Sequence, residues 1–147
     1  HAMILEVDPE TCMVEIKRYV VVEDCGVMLN PMIVEGQIHG GVSMGIGQAF
    51  YEKLHYDENG QLLNASLMDY LIPGAHEMPR QFEVGHLETR SPLNEIGSKG
   101  VGEAGAIPVP ALFAQALENA FYDRKLEILE TPLSPNRLFE LLKESAA

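Results

Sequence analysis

A chain of 147 residues, 46% apolar and 22% charged, has the length and composition of one globular domain with a real core. Its 22 acidic against 10 basic side chains leave a formal charge of −12, which excludes the basic footprint that nucleic acids and anionic membrane surfaces need. Cys12 and Cys25 are too few and too far apart for a CxxC metal pattern, so two free cytoplasmic thiols are expected, with a disulfide as the alternative.

No internal repeat, low-complexity tract or signal peptide stands out. His1-Ala2-Met3 reads as a cloning remnant and is left out of the fold, giving one domain over residues 4–147. Residues 4–7 and 13–23 read as the arms of a hairpin, turned by Asp8-Pro9-Glu10-Thr11. The second arm alternates at first and then becomes continuously apolar, which predicts a strand half-exposed at one end and buried at the other.

Asn30-Pro31 is a helix start, with Asn at the N-cap and Pro at the first helical position. Apolar residues at helical spacing carry that helix to about Leu54. Inside it lie Gly36, Gly40, Gly41, Gly45 and Gly47, each costing about 1 kcal/mol against alanine in a helix. Close packing against something is the expected reason. A membrane span is not, because Glu35, Gln37, His39 and Gln48 lie in the same segment.

Asp57-Glu58-Asn59-Gly60 is a hairpin-type turn, residues 61–72 mix strand and irregular signals, and residues 82–87 alternate as a strand. Residues 107–121 read as a helix, 126–129 as a short strand or irregular, and Ser134-Pro135 caps a last helix running to the C-terminus. Strands and helices mix without a regular βαβ rhythm. The expected class is α+β, with an N-terminal hairpin in a mixed sheet and helices packed on it.

The richest stretch is Gly97-Ser98-Lys99-Gly100-Val101-Gly102-Glu103-Ala104-Gly105. Glycine lets a backbone pass close to a ligand, so the Glu103 carboxylate can be presented with nothing bulky beside it. Three readings of this stretch stand side by side. Gly100, Gly102 and Gly105 match G-x-G-x-x-G, but the fingerprint should follow a strand directly, and the intervening residues 90–95 look like loop. Glu103 can also be an ordinary carboxylate favoured by a helix N-terminus, or a positioned base. Gln37 and His39 can likewise be exposed helix positions, although Gln37 lies between Gly36 and Gly40, where a ligand could approach. His55, His76 and His86 are isolated and lack HExxH-type spacing.

Taken together, Asp24-Cys25-Gly26 with Asn30-Pro31, Val34-Glu35-Gly36-Gln37-Ile38-His39-Gly40-Gly41, Gly45-Ile46-Gly47-Gln48-Ala49, Met68-Asp69-Tyr70 and the glycine stretch follow one order and spacing. They resemble the C-terminal part of the molybdopterin-binding large subunit of the molybdenum hydroxylases. That family includes xanthine dehydrogenase, aldehyde oxidase and aerobic carbon monoxide dehydrogenase. The resemblance covers nearly the whole chain and implies a domain of the second molybdopterin-binding type.

It also implies roles. Glu103 becomes the active-site base beside the molybdenum, taking a proton as oxygen attacks an electron-poor carbon of a small substrate. Gln37 becomes a hydrogen-bonding contact to the molybdenum–molybdopterin cofactor. Gly36, Gly40, Gly41, Lys99, Gly100, Val101 and Gly102 complete the implied cofactor-binding set, none of them a ligand to the metal itself. The cofactor would be shared with an upstream part of the large subunit, and electrons would leave through iron–sulfur and flavin partners. The isolated chain would then be inactive and would expose or self-associate a partner-facing apolar surface.

Met44 stands where some relatives carry a second glutamine, and Gln48 lies near but not at that position. Ala104-Gly105 after the glutamate leans towards the carbon monoxide dehydrogenase-like branch. The resemblance leaves open the substrate (carbon monoxide, aldehyde, heterocycle or acyl-CoA) and whether the cofactor is a dinucleotide. Two other functions remain on the table: a docking or assembly module with a vestigial site, and a dinucleotide-binding domain through Gly100, Gly102 and Gly105.

Overall fold

A computed structural model describes residues 1–145. β1 (Ala2–Val7) and β2 (Val14–Glu23) form the expected antiparallel hairpin. Its turn is tied by Asp8, whose Oδ1 accepts the Glu10 amide at 2.8 Å. Ala2 pairs with Val20 and Met3 with Tyr19, so the first three residues, set aside on sequence grounds, take part in the fold. A bulge between Ile4 and Leu5 leaves Lys17 unopposed.

The prediction for the end of β2 needs correction. Tyr19 and Val21 are fully buried while Val22 is 52% exposed. Alternation therefore persists through the continuously apolar run, because the sheet face that carries Ile4 and Val22 is open to solvent among the described residues.

α1 (Pro31–Phe50) covers the other face. Asn30 caps it, its side chain accepting the Ile33 amide at 3.3 Å, with Pro31 at the first helical position. Val34, Ile38, Val42 and Ile46, spaced by four, are buried along one stripe. Burying each such side chain contributes roughly 1.5–3 kcal/mol. The helix ends at Phe50, short of Leu54, because the Tyr51 and Glu52 amides both fold back onto the Gly47 carbonyl at 2.8 Å.

Residues 51–81 are largely irregular; the turn expected at Asp57 to Gly60 is present, closed by one bridge between Tyr56 and Leu62. β3 (Phe82–His86) then joins β2 in parallel, giving the sheet order β1-β2-β3. The sheet is mixed, and the α+β class holds.

α2 (Val109–Ala120) begins two residues later than expected, because turns continue through residue 108. Residues 126–129 are irregular. In α3 (Pro135–Glu144) the Ser134 hydroxyl accepts the Arg137 amide at 3.3 Å. The remainder of the predicted last helix, residues 146–147, lies outside the described residues.

One apolar cluster joins β2, α1 and the start of α2 through residues such as Tyr19, Ile38 and Phe113; a second joins the end of α2 to α3 through Leu117, Leu133 and Leu138. Cys12 and Cys25 are free and buried. No helix among the described residues is long and apolar enough to cross a membrane.

Candidate functional site

α1 presents a second stripe, opposite in character to the buried one. Gln37, Gly40, Gly41, Met44 and Gln48 recur at helical spacing and so share a face. The glycine loop lies across this face. A Cβ added to Gly105 would stand 2.5 Å from the Ile38 carbonyl oxygen, and one added to Gly41 would stand 2.9 Å from the Gly105 backbone. Backbone meets backbone here, which only glycine permits.

That contact brings Glu103 to the helix. Gly36, Gln37, Gly40, Gly41, Met44, Gln48, Gly102, Glu103, Ala106 and Ile107 line one open cavity of about 470 Å³. A Cβ at Gly36, Gly40 or Gly102 would meet no atom within 4 Å. The cavity is therefore a trough floored by bare backbone, with a carboxylate and two carboxamides as its long polar side chains. It contains no cation. Met44 and Ile107, 56% and 71% exposed, form an apolar part of its rim.

Six of the nine residues proposed from sequence thus share one cavity: Glu103, Gln37, Gly36, Gly40, Gly41 and Gly102. Lys99, Gly100 and Val101 do not line it. The Lys99 ammonium donates to Thr89 Oγ1 at 2.7 Å and lies 3.0 Å from Asp24 Oδ1. Val101 packs against the main core.

Asp24 also accepts the Gly26 amide at 2.8 Å, the Thr89 amide at 3.1 Å and the Thr89 hydroxyl. The Thr89 hydroxyl bond, with those two amides and Lys99, holds the Asp24 carboxyl well below the usual carboxylate range.

Met44, Gln48, Ala106 and Ile107 were not proposed as site residues. Gln48 was legible in principle, since eleven residues after Gln37 is three helical turns on the same face. Ala106 and Ile107 carry no such signal. The cavity depends on how the loop folds back, which no local pattern fixes.

A second cavity of about 320 Å³ lies elsewhere, between Cys12, Ile46, Phe50, His76 and Arg80 among others, and holds none of the proposed site residues. No group of three or more His, Cys, Asp or Glu side chains among the described residues is placed to hold a metal ion. The dinucleotide fingerprint lacks its setting. β3 ends at His86, well before Gly100, and Gly105 is consumed by packing on α1.

A family model described as a molybdopterin cofactor-binding domain matches residues 1–79. The chain is 42% identical over 143 residues to the nicotine 6-hydroxylase large subunit of Paenarthrobacter nicotinovorans. It is 38% identical over 144 residues to the carbon monoxide dehydrogenase large chain of Hydrogenophaga pseudoflava. These matches take in 97% and 96% of this chain but 17% of each relative's length. The crystal structure of quinoline 2-oxidoreductase from Pseudomonas putida 86 superimposes with a TM-score of 0.89 at 43% identity, over 95% of this chain and 18% of that one.

Proposed function

The chain belongs to the molybdopterin cofactor-binding domain family, and on that premise we propose that it forms one wall of the cofactor site in a molybdenum hydroxylase large subunit. The observation that carries this reading is the single cavity holding Glu103 and Gln37 among four glycines.

The residues present suit a molybdenum–molybdopterin cofactor. A flat, hydrogen-bonding group can lie on the bare backbone of Gly36, Gly40 and Gly102, where no described side chain competes for the space. Gln37 and Gln48 each offer an amide donor and an acceptor. No Lys or Arg among the described residues lines the trough. When bound, the cofactor supplies the oxygen-transfer and two-electron chemistry of the reaction.

This chain's own contribution is the base. Glu103 takes a proton onto a carboxylate oxygen, work that typically contributes 10²–10⁴-fold. Its neighbours Gly102 and Ala104 leave that carboxylate unobstructed. Gln37 orients the bound group from the helix side, and Met44 with Ile107 keeps one edge of the trough apolar. The upstream segments of the subunit, together with iron–sulfur and flavin partners, supply the substrate pocket and the electron path. The substrate is a small molecule with an oxidisable carbon, and the chain alone is inactive.

The test is Glu103→Gln in the complete enzyme. Turnover should fall by about 10²–10⁴-fold while molybdenum content is kept. Retained turnover would remove Glu103 from the reaction, and a chain with neither metal nor turnover in its assembled state would be a docking module. Calorimetric heat with NAD or NADP would favour the dinucleotide reading instead.

A further inference from the structure

We propose that Asp24, Thr89 and Lys99 form a polar latch that fixes where the glycine loop holds Glu103, and that Lys99 is a positioning residue rather than a cofactor ligand. The inference rests on Glu103 acting as the base.

Besides Val101, which packs on the core, the loop is held at two points. Downstream, Gly105 is wedged against the Ile38 backbone of α1. Upstream, the segment that carries Lys99 is bonded to the end of β2: the Lys99 amide donates to the Cys25 carbonyl at 2.7 Å, the Val27 amide to the Gly97 carbonyl at 3.1 Å, and Ser98 bridges Gly26. The side chains reinforce that seam. Lys99 donates to Thr89, Thr89 donates to Asp24, and Lys99 also pairs directly with Asp24. Asp24 is thus bound to Gly26 on its own side of the seam, to Lys99 across it, and to the neighbouring segment at Thr89.

Between the two holds, Gly100 and Gly102 have nothing within 4 Å of where a Cβ would be. Glycines without neighbours give the backbone little resistance to rotation. The carboxylate of Glu103, four residues past Lys99, therefore depends on both anchors for its placement. Loss of the upstream anchor leaves the loop held only by Val101 on the core and by Gly105 on α1. A misplacement of about 1 Å at a reacting group can cost about 100-fold in rate. The same bonds hold the Asp24 carboxyl below the usual carboxylate range and so favour its charged, paired form.

The experiment uses the complete enzyme that contains this chain, with Lys99→Met, Asp24→Asn, the pair combined, Lys99→Arg, and Glu103→Gln as reference. Three quantities are read: molybdenum content, kcat and KM, and hydrogen exchange of the amides at residues 98–105. Lys99→Met and Asp24→Asn should each keep their molybdenum and hold KM within about twofold. Each should lower kcat by about 10–100-fold and speed exchange across the loop. The combined variant should be no worse than either single one, as members of one network are non-additive. Lys99→Arg should recover part of the kcat.

Loss of molybdenum in Lys99→Met with unchanged loop exchange would make Lys99 a cofactor ligand and overturn the latch. Unchanged exchange with unchanged kcat would overturn it too. Thr89 is exposed, so Thr89→Val gives the same reading if Asp24→Asn does not fold. Full turnover in Glu103→Gln would sink the base role, and the exchange data would still decide whether the latch exists.

Discussion

Two glycines of α1 are packed, since a Cβ at Gly41 would press on the backbone of Gly105 and one at Gly45 would overlap the Val109 side chain; two are open, since a Cβ at Gly36 or Gly40 would meet nothing within 4 Å. All four glycines weaken the same helix, by about 1 kcal/mol each. At Gly41 and Gly45 the weakening is offset inside the chain, since the missing side chain lets the loop and α2 approach. At Gly36 and Gly40 nothing among the described residues offsets it. A helix that gives up stability without an internal partner is shaped for an external one. The open pair lines the cavity of Glu103 and Gln37, where the proposed function seats the cofactor.

The contrast can be broken by adding single methyl groups. Gly45→Ala and Gly41→Ala should each destabilise the purified protein, as overpacking costs about 1–3 kcal/mol against a propensity gain of about 1 kcal/mol. Val109 is β-branched and stiff, so it cannot swing clear, and at Gly41 the obstacle is backbone. Denaturation midpoints that rise for either variant would show that the packed pair is not packed.

Gly36→Ala and Gly40→Ala should do the reverse. Each should gain roughly 0.5–1 kcal/mol of stability, while the molybdenum content of the complete enzyme drops. Variants that are more stable and fully loaded would reduce the open pair to ordinary surface.

Sequence disclosed the parts of this contrast but not its division. Asn30-Pro31 and Ser134-Pro135 mark helix starts because capping is a matter of three or four adjacent residues, and both caps are present. Five glycines in one helix signalled close packing, yet the neighbours of Gly41 and Gly45 are a loop and a helix some sixty residues later. The same distance hid the partners of Lys99. Asp24 lies seventy-five positions upstream, and no periodicity joins them, so Lys99 was placed with the cofactor on resemblance alone. The parallel pairing of β2 with β3 was hidden for the same reason, since its return passes through residues 51–81 without regular structure. Glu103, Gln37 and four of the glycines were legible together because the family resemblance carries their spacing, and the cavity then supplied Gln48.

A buried polar group at the end of β2 tests how complete the packing of the sheet edge is. Glu23 ends β2 with its side chain 7% exposed, and neither of its oxygens finds a hydrogen-bond partner among the described residues. Burial pushes its carboxyl up from the ordinary glutamate value of 4.5, and the His86 imidazole, 3.6 Å away, pulls it down. A carboxyl raised in the folded state binds its proton more tightly folded than unfolded. Stability from this group is therefore present below about pH 4.5 and is lost as pH rises through the raised folded value. The expected effect is the smallest of the set, because one proton is at stake and a charged His86 offsets part of it. Glu23→Gln should flatten the decline, so that its denaturation midpoint gains on the parent protein from pH 4.5 towards neutrality. A Glu23→Gln midpoint that loses ground on the parent over that range would mean that Glu23 has a donor at this edge of the sheet that keeps it charged.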